Sequence, residues 1–424
     1  MTIYLGLGSN LGDRKSNLDT AIDKLVDAGF RLKQVSPLVE SPAMLPRDAD
    51  PAWNKPFLNL AIAGNADWSP LEGLAIAKRI ESELGREQGP KWSSRPIDID
   101  LLIWNQERFS TDSLELPHPG IAERAFVVTP LLHIQPDLVI PGTDKSVFEL
   151  SQTEPIIPLW MGIVNLTPDS FSDGDSWDDQ DQLGDYLDKL IANNVQIIDL
   201  GAESTRPNAE AIDQEEEWRR LRPVLEQLHD KIADTHIRPL LSLDSRHPAV
   251  IDRALDIGID IINDVTGLDD PDMLSLARDT NCQIIAMHAM TVPVNPKVQL
   301  PSDRPATDQL EEWIDAKANT WLDRGIDLNR IIVDPGIGFG KNSIQAYELM
   351  SNCKRMRRFG MRLLIGHSRK SFLAGITDRP AGQRDLETLG ISLALCAQGV
   401  DIIRVHHPFI HQRAHRAWSH IQPA

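Results

Sequence analysis

Cysteine is scarce in this chain. There are three in 424 residues, Cys282, Cys353 and Cys396, and none forms a CxxC pair. That excludes a disulfide framework and a cysteine-built zinc centre. Positive charge is also short: 43 Lys and Arg stand against 62 Asp and Glu, a formal net charge of −19. A nucleic acid or an anionic membrane is therefore a poor partner, and anionic substrates must be met by local Arg, Lys or a metal. No apolar run is long enough to span a bilayer, and no secretory signal opens the chain. We expect a reducing, cytoplasmic setting. The phosphate loop GxxxxGK[ST] is missing, and Gly12 stands one residue late to complete GxGxxG after Gly6 and Gly8. Any ATP site here is of another kind.

What the chain has is a repeat of apolar, strand-like runs. Eight of them cross the second two-thirds of the sequence: IIPLWMGIVN, VQIIDLGAE, RPLLSLDS, IDIINDV, CQIIAMH, RIIVDPG, RLLIGHS and DIIRVH. Helix-like stretches separate them, which predicts a (β/α)8 TIM barrel, and strands buried on both faces read as such continuous runs. Nearly every run ends in a polar residue: Asn165, Asp199, Asp244, Asn263, His288, Asp334, His367, and Arg404 with His406. Barrel enzymes carry their chemistry at these carboxyl ends. One such residue alone is more often a helix cap or turn former. Several together, with Arg206, Arg369, Lys370 and Arg404, point to an active site.

The preceding residues alternate in the order βαββαβ, which predicts an N-terminal α+β ferredoxin-like domain. FRLKQVSPLVES is expected as one strand. Ser69-Pro70-Leu71-Glu72 is a helix start, with Ser as cap, Pro in the first turn and Glu closing a capping box, and Gly85 ends that helix. We place the domain boundary at residues 153 and 154, before Pro155 and Pro158. In Ile97-Asp98-Ile99-Asp100 the two acids share one strand face. Paired carboxylates with phosphate nearby suit Mg2+. Incidental acids on a wet face are the plain alternative, but Arg86, Lys91, Arg95 and Arg124 supply cations nearby, and Phe57, Trp92 and Phe126 supply flat apolar surface.

GLGSNLGDR, SPAMLP, FLNLAI, RIESELGR, SSRPIDIDLL and LPHPGIAERAFVVTPL occur in order over roughly residues 1–150. They resemble 6-hydroxymethyl-7,8-dihydropterin pyrophosphokinase. The resemblance implies transfer of pyrophosphate from ATP to the pterin hydroxymethyl group, with Asp98 and Asp100 holding two Mg2+ ions. It puts Arg86 and Arg95 on the transferring phosphates, Trp92 on a closing loop, and Glu81, His118 and Arg124 at ATP. Phe57 and Phe126 would sandwich the pterin and Asn59 would read its edge. The family more often has Tyr at position 57.

MGIVNLTPDSFSDGD, GAESTRPNA, SLDSR, INDVTG, DPGIGFGK, IGHSRKSFL and RVHH occur in order over roughly residues 156–415. They resemble dihydropteroate synthase, which joins p-aminobenzoate to the pterin with loss of pyrophosphate. The resemblance implies that Asp244, Asn263, Asp334 and Lys370 bind the pterin ring. It also implies that Asn165 with one Mg2+, and Thr205, Arg206, Arg404 and His406, hold pyrophosphate. Phe171, Pro207, Phe339 and Ser371 would shape the p-aminobenzoate pocket, open to sulfonamides, and a homodimer through the barrel is implied. The family's MHMQG is here Met287-His288-Ala289-Met290-Thr291, and His407 stands where Asp or Asn is usual.

A methyl-transfer barrel is the alternative enzyme, and a degenerate scaffold the non-enzymatic one. Ser368-Arg369-Lys370-Ser371 argues against the first, and the intact acid pair with Lys370 against the second. His407, His411 and His415 fall at helical spacing, and we read them as a solvated helix face in preference to a metal site. The acids from Asp213 to Glu217 are likewise read as a solvated helix start.

Overall fold

The computed structural model describes residues 2–87, 89–90, 92–167, 180–204 and 211–421. They fall into two compact units: Met1–Ile157 with Thr235–Ile237 and His415–Ala424, and Pro158–Asp234 with Arg238–Ala414.

The first unit contains β1 (Ile3–Ser9), α1 (Arg14–Asp27), β2 (Arg31–Val35), β3 (Val39–Ser41), β4 (Phe57–Asn65), α2 (Pro70–Glu83) and β5 (Asp98–Trp104). A small hairpin, β6 (Phe109–Ser110) and β7 (Glu115–Leu116), follows, then α3 (Ala125–Ile134) and α4 (Val147–Thr153). The strands run β2-β4-β1-β5, all antiparallel, with β3 beside β4, which is the ferredoxin-like order. The stretch expected as a single strand is two, β2 and β3. Pro37 lies between them and has no N–H to give the ladder, so pairing stops after Ser36 and resumes at Val39. Ser69 and Glu72 close the capping box at the start of α2, and Gly85, with φ of 84°, follows its end. Ile3, Leu5 and Leu7 bury one sheet face with Leu18, Ile22 and Leu25 of α1 and Ile80 of α2. Tyr4, Ala61, Ala63 and Leu102 bury the other face with Val127, Val128 and Leu131 of α3. Each such aliphatic side chain contributes roughly 1.5–3 kcal/mol on burial.

The second unit alternates β8 (Leu159–Asn165), α5 (Gln180–Ala192), β9 (Ile197–Gly201), α6 (Gln214–Ile232), β10 (Leu240–Asp244), α7 (Pro248–Ile257), β11 (Ile261–Asp264), α8 (Pro271–Asp279) and β12 (Gln283–Met287). It continues with α9 (Ala306–Asp323), β13 (Ile331–Asp334), α10 (Ser343–Ser351), α11 (Cys353–Met356), β14 (Arg362–Ile365), α12 (Asp385–Ala397), β15 (Ile402–Val405) and α13 (Pro408–Ser419). The eight strands are parallel and close on themselves, β15 pairing with β8. Register aligns the strand ends: Asn165 lies opposite Gly201, Gly201 opposite Asp244, and Asp244 opposite Asn263. The polar residues after the apolar runs are thereby gathered at one mouth.

Two surface expectations fail at particular residues, although Asp213 and Glu215 are exposed at the start of α6 as expected. Glu217 is fully buried on α6, because its carboxylate takes the Nδ1 of His247 at 2.6 Å and does not face water. His411 and His415 are buried as well, 1% and 8% exposed, and their rings lie against Trp160 and Trp418. Trp160, distant in sequence, is a packing partner of His411 that a spacing pattern does not show. Among the described residues no helix is long and apolar enough to cross a membrane.

Candidate active sites

The first unit opens a cleft walled by Gly8, Phe57, Asn59, Trp92, Arg95, Asp98, Asp100, Arg124 and Phe126. The alternation of β5 puts Asp98 and Asp100 toward this cleft and buries Ile97 and Ile99. Arg86 and Arg95 both grip Asp98, Arg95 Nη2 lying 2.9 Å from Oδ2. Burial and the neighbouring Asp98 raise the Asp100 carboxyl above its usual range. Arginine pairs with Asp98 while burial holds Asp100 up, and two oxygen donors on one strand fit a hard cation that keeps waters and phosphate oxygens as its other ligands. Lys91 lies outside the described residues.

Glu81 is buried on α2. It accepts the Ile99 backbone N–H at 2.9 Å, pairs with Arg86 at 2.6 Å and takes Lys78 at 2.9 Å. It therefore ties the strand carrying the acids to Arg86. His118 Nδ1 accepts the Gly120 amide at 3.1 Å, so a neutral ring carries its proton on Nε2. Burial pulls its pKa down, with Asp100 opposing. Arg95 stands over the Phe57 ring and Arg124 over the Phe126 ring, at 5.8 and 5.9 Å from the centroids. Asn59 donates to Ser41 Oγ at 3.0 Å, which fixes its amide. Sequence reasoning missed Asn10. Its side chain accepts the Arg95 amide at 2.7 Å and donates to Ser94 Oγ at 3.3 Å, stapling the arginine-bearing loop to the end of β1. Its place directly after an apolar strand was the available signal.

At the mouth of the barrel, Arg404 bridges two acids. Nε lies 2.6 Å from Asp199 Oδ2 and Nη2 lies 2.9 Å from Asp244 Oδ2. Asn263 donates to the same Asp199. Burial drives the Asp244 carboxyl up to about 7 against the pull of Arg404. It also raises Asp334, which accepts the Gly336 amide at 2.7 Å. Lys370 donates to the Ile337 carbonyl at 2.6 Å and lies 5.0 Å over the Phe339 ring. Burial brings it down to about 8, with Asp334 opposing. A Cβ built on Gly366 would make ordinary contact with three site groups, standing 3.8 Å from Asp334 Oδ2, 3.8 Å from Lys370 Nζ and 3.9 Å from Arg404 Cδ. Those three groups thus converge on one point.

His406 meets Ser368 Oγ at 2.8 Å through Nδ1. His407 lies 2.6 Å from Arg369, which is held by Asp385. Asn165 is half-buried at the end of β8, and Ser371 is exposed at the start of a short 3-10 turn. Asn165 offers a single neutral oxygen, so a cation there fits only with phosphate oxygens as its main ligands. Phe171, Thr205, Arg206 and Pro207 lie outside the described residues. His367, one of the polar strand ends, is fully buried and bonds to the Thr388 carbonyl, so it faces away from the mouth's chemistry. Sequence reasoning did not count Asp199 or Lys341 among the site residues. Asp199 is the acid inside the IIDL run, and Lys341 closes the GFGK turn.

Residues 4–136 match the family 7,8-dihydro-6-hydroxymethylpterin-pyrophosphokinase, and residues 161–406 match the family pterin binding enzyme. The folate synthesis bifunctional protein of Chlamydia caviae is 34% identical over 98% of both chains. The mitochondrial folate synthesis bifunctional protein of Arabidopsis thaliana is 32% identical over 95% of this chain and 80% of its own. The dihydropteroate synthase of Anaplasma phagocytophilum, solved with bound 6-hydroxymethylpterin-monophosphate, is 31% identical with a TM-score of 0.55. It covers 62% of this chain and 98% of its own. The synthase of Xanthomonas albilineans, solved with 4-aminobenzoic acid, is 31% identical with the same TM-score over 63% of this chain and 94% of its own. With a metal-type acid pair in one unit and a pterin-type polar mouth in the other, the chain belongs to the bifunctional folate-synthesis family, joining a pterin pyrophosphokinase to a dihydropteroate synthase.

Proposed function

We propose that residues 1–153 carry the pyrophosphokinase step and residues 154–424 the synthase step, with the following roles. Phe57 and Phe126 stack on the pterin and Asn59 reads its edge. Asp98 and Asp100 hold two Mg2+ ions with ATP. When bound, these ions would offset the negative charge of the ATP phosphates. Arg86 and Arg95 steady the transferring phosphates, and Trp92 covers them. His118 Nε2–H and Arg124 donate to ATP, while Glu81 holds Arg86 in place. Transfer to the hydroxymethyl oxygen yields AMP and the pterin pyrophosphate.

In the barrel the amine of p-aminobenzoate attacks the pterin methylene carbon, the C–O bond to pyrophosphate breaks, and the amine loses a proton. Asp244, Asn263 and Asp334 accept from the ring edge and Lys370 donates to it. Arg404 and His406, with Thr205, Arg206 and one Mg2+ at Asn165, take the pyrophosphate charge. Phe339, Ser371, Phe171 and Pro207 frame p-aminobenzoate. The observation that carries this reading is the convergence of Asp334, Lys370 and Arg404 around Gly366. We place the protein in the cytoplasm as a homodimer through the barrel.

The test is a coupled assay with ATP, Mg2+, 6-hydroxymethyl-7,8-dihydropterin and labelled p-aminobenzoate. Dihydropteroate and AMP should form in equal amounts. Asp98→Ala should abolish AMP yet leave dihydropteroate formation from supplied pterin pyrophosphate intact. An unaffected first step would sink the assignment of the acid pair.

A further inference from the structure

Asp199 lies wholly inside the barrel, on β9, and is the meeting point of three donors. Ser242 Oγ reaches Oδ1 at 2.6 Å. Asn263 Nδ2 reaches Oδ1 at 3.2 Å and Oδ2 at 3.3 Å. Arg404 Nε reaches Oδ2 at 2.6 Å. Ser242 pairs with Asp199 in the ladder, so the register builds this cluster.

A carboxylate only accepts hydrogen bonds. The amide of Asn263 must therefore turn its nitrogen toward Asp199, which leaves its carbonyl oxygen as the end that receives a ring N–H. The guanidinium of Arg404 is held through Nε on the same carboxylate, and its Nη2 extends to Asp244. One buried acid thus orients two residues with different tasks, one at the pterin edge and one at the pyrophosphate.

We propose that Asp199 is a positioning residue that sets both ends of the synthase site at once, turning the Asn263 amide and holding the Arg404 fork. It touches no substrate itself. The proposal rests on the reading of Asn263 and Arg404 given above. A charged acceptor shared by three donors is worth more than any one bond, and losing it leaves buried donors unpaired.

The experiment uses the full chain, supplied with pterin pyrophosphate and labelled p-aminobenzoate, so that only the synthase is read. Inhibition constants are measured for two probes, 6-hydroxymethylpterin and inorganic pyrophosphate, together with the KM for p-aminobenzoate. Asp199→Asn should raise both inhibition constants by about tenfold or more and leave the KM for p-aminobenzoate within about twofold. Ser242→Ala, a milder loss at the same carboxylate, should raise both by about threefold. It decides the matter alone if Asp199→Asn does not fold. A change in only one inhibition constant, in neither, or in all three constants alike overturns the proposal. Asn263→Ala should weaken the pterin probe alone and Arg404→Lys the pyrophosphate probe alone. If those two variants change nothing, the underlying site reading has failed, whatever Asp199 does.

Discussion

Lys341 reaches from the glycine turn after β13 to His288 at the end of β12. Its Nζ lies 2.6 Å from His288 Nδ1, 2.6 Å from the His288 carbonyl oxygen and 3.1 Å from the Phe339 carbonyl oxygen. Burial pushes His288 down to about 3, so its ring is neutral and Nδ1 accepts. The backbones are close as well: a Cβ on Gly336, where φ is 65°, would meet the His288 carbonyl oxygen at 2.0 Å. The turn that carries Ile337 and Phe339 is therefore pinned to its neighbouring strand, and Lys370 is steadied by both residues.

Lys341→Met should loosen that turn without emptying the space. Two carbonyls and a ring nitrogen lose their donor, at about 1–3 kcal/mol for a buried unpaired group, partly offset by removing a buried amine. The KM for p-aminobenzoate should rise by about tenfold, and the kinase step should be unchanged. Separate assays of the two steps check this.

The synthase should work in a narrow pH window. Asp244 is raised to about 7 and Lys370 lowered to about 8. Below about 7 the acid gains a proton, and above about 8 the lysine loses one, so kcat/KM for pterin pyrophosphate should fall on both sides. The two limbs report the joint titration of neighbouring groups. In Lys370→Arg, which stays charged, the alkaline limb should vanish from the pH–rate profile even if the rate is lower.

Gly8 should prove a specificity position of the kinase. A Cβ there would lie 3.0 Å from Asn59 Oδ1 and 3.5 Å from the Phe57 ring. Gly8→Ala should displace the amide that Ser41 holds, raising the KM for the pterin by about tenfold, the worth of roughly one hydrogen bond. The KM for ATP should stay within about twofold. A larger effect on ATP than on pterin would contradict the placement of the pterin between Phe57 and Phe126.

Acid should destabilise the protein through its buried histidines. His288 and His411 are held near about 3, and His367 and His415 near about 4, all by burial. The unfolded chain protonates them below about 6.5. Between about 6.5 and about 4 the unfolded state binds more protons, so stability falls as pH falls. Each contributes on the order of 3 kcal/mol across that window. Melting temperatures in buffers of decreasing pH should drop for the native protein, and less steeply for His367→Gln.

The barrel was legible because its strands are buried on both faces, so each reads as an unbroken apolar run ending in a polar residue. The capping box at Ser69 and Glu72 was legible because it is local. Glu217, His411 and His415 were misread for the opposite reason: an acid or imidazole looks solvated until the residue it packs against is known. His247 and Trp160 are distant in sequence and come near only through the fold. Asp199 was visible as a strand end, but its rank depended on closure of the barrel. That closure brings Ser242, Asn263 and Arg404 from three other strands to one carboxylate. The break at Pro37 was in plain sight, and strand propensity on either side outweighed it in the reading.

The closing strand pair, β15 on β8, sets an order of events at the ribosome. The antiparallel sheet has all its strands once Trp104 has emerged, and its last helix ends at Thr153. The barrel cannot seal, and Arg404 cannot meet Asp199, until Val405 is out, about 250 residues later. At roughly 5–20 residues per second that is on the order of 10–50 s of synthesis. The half that makes the activated pterin thus has its whole sheet well before the barrel of the other half can close, although Thr235–Ile237 and His415–Ala424 join its unit only later.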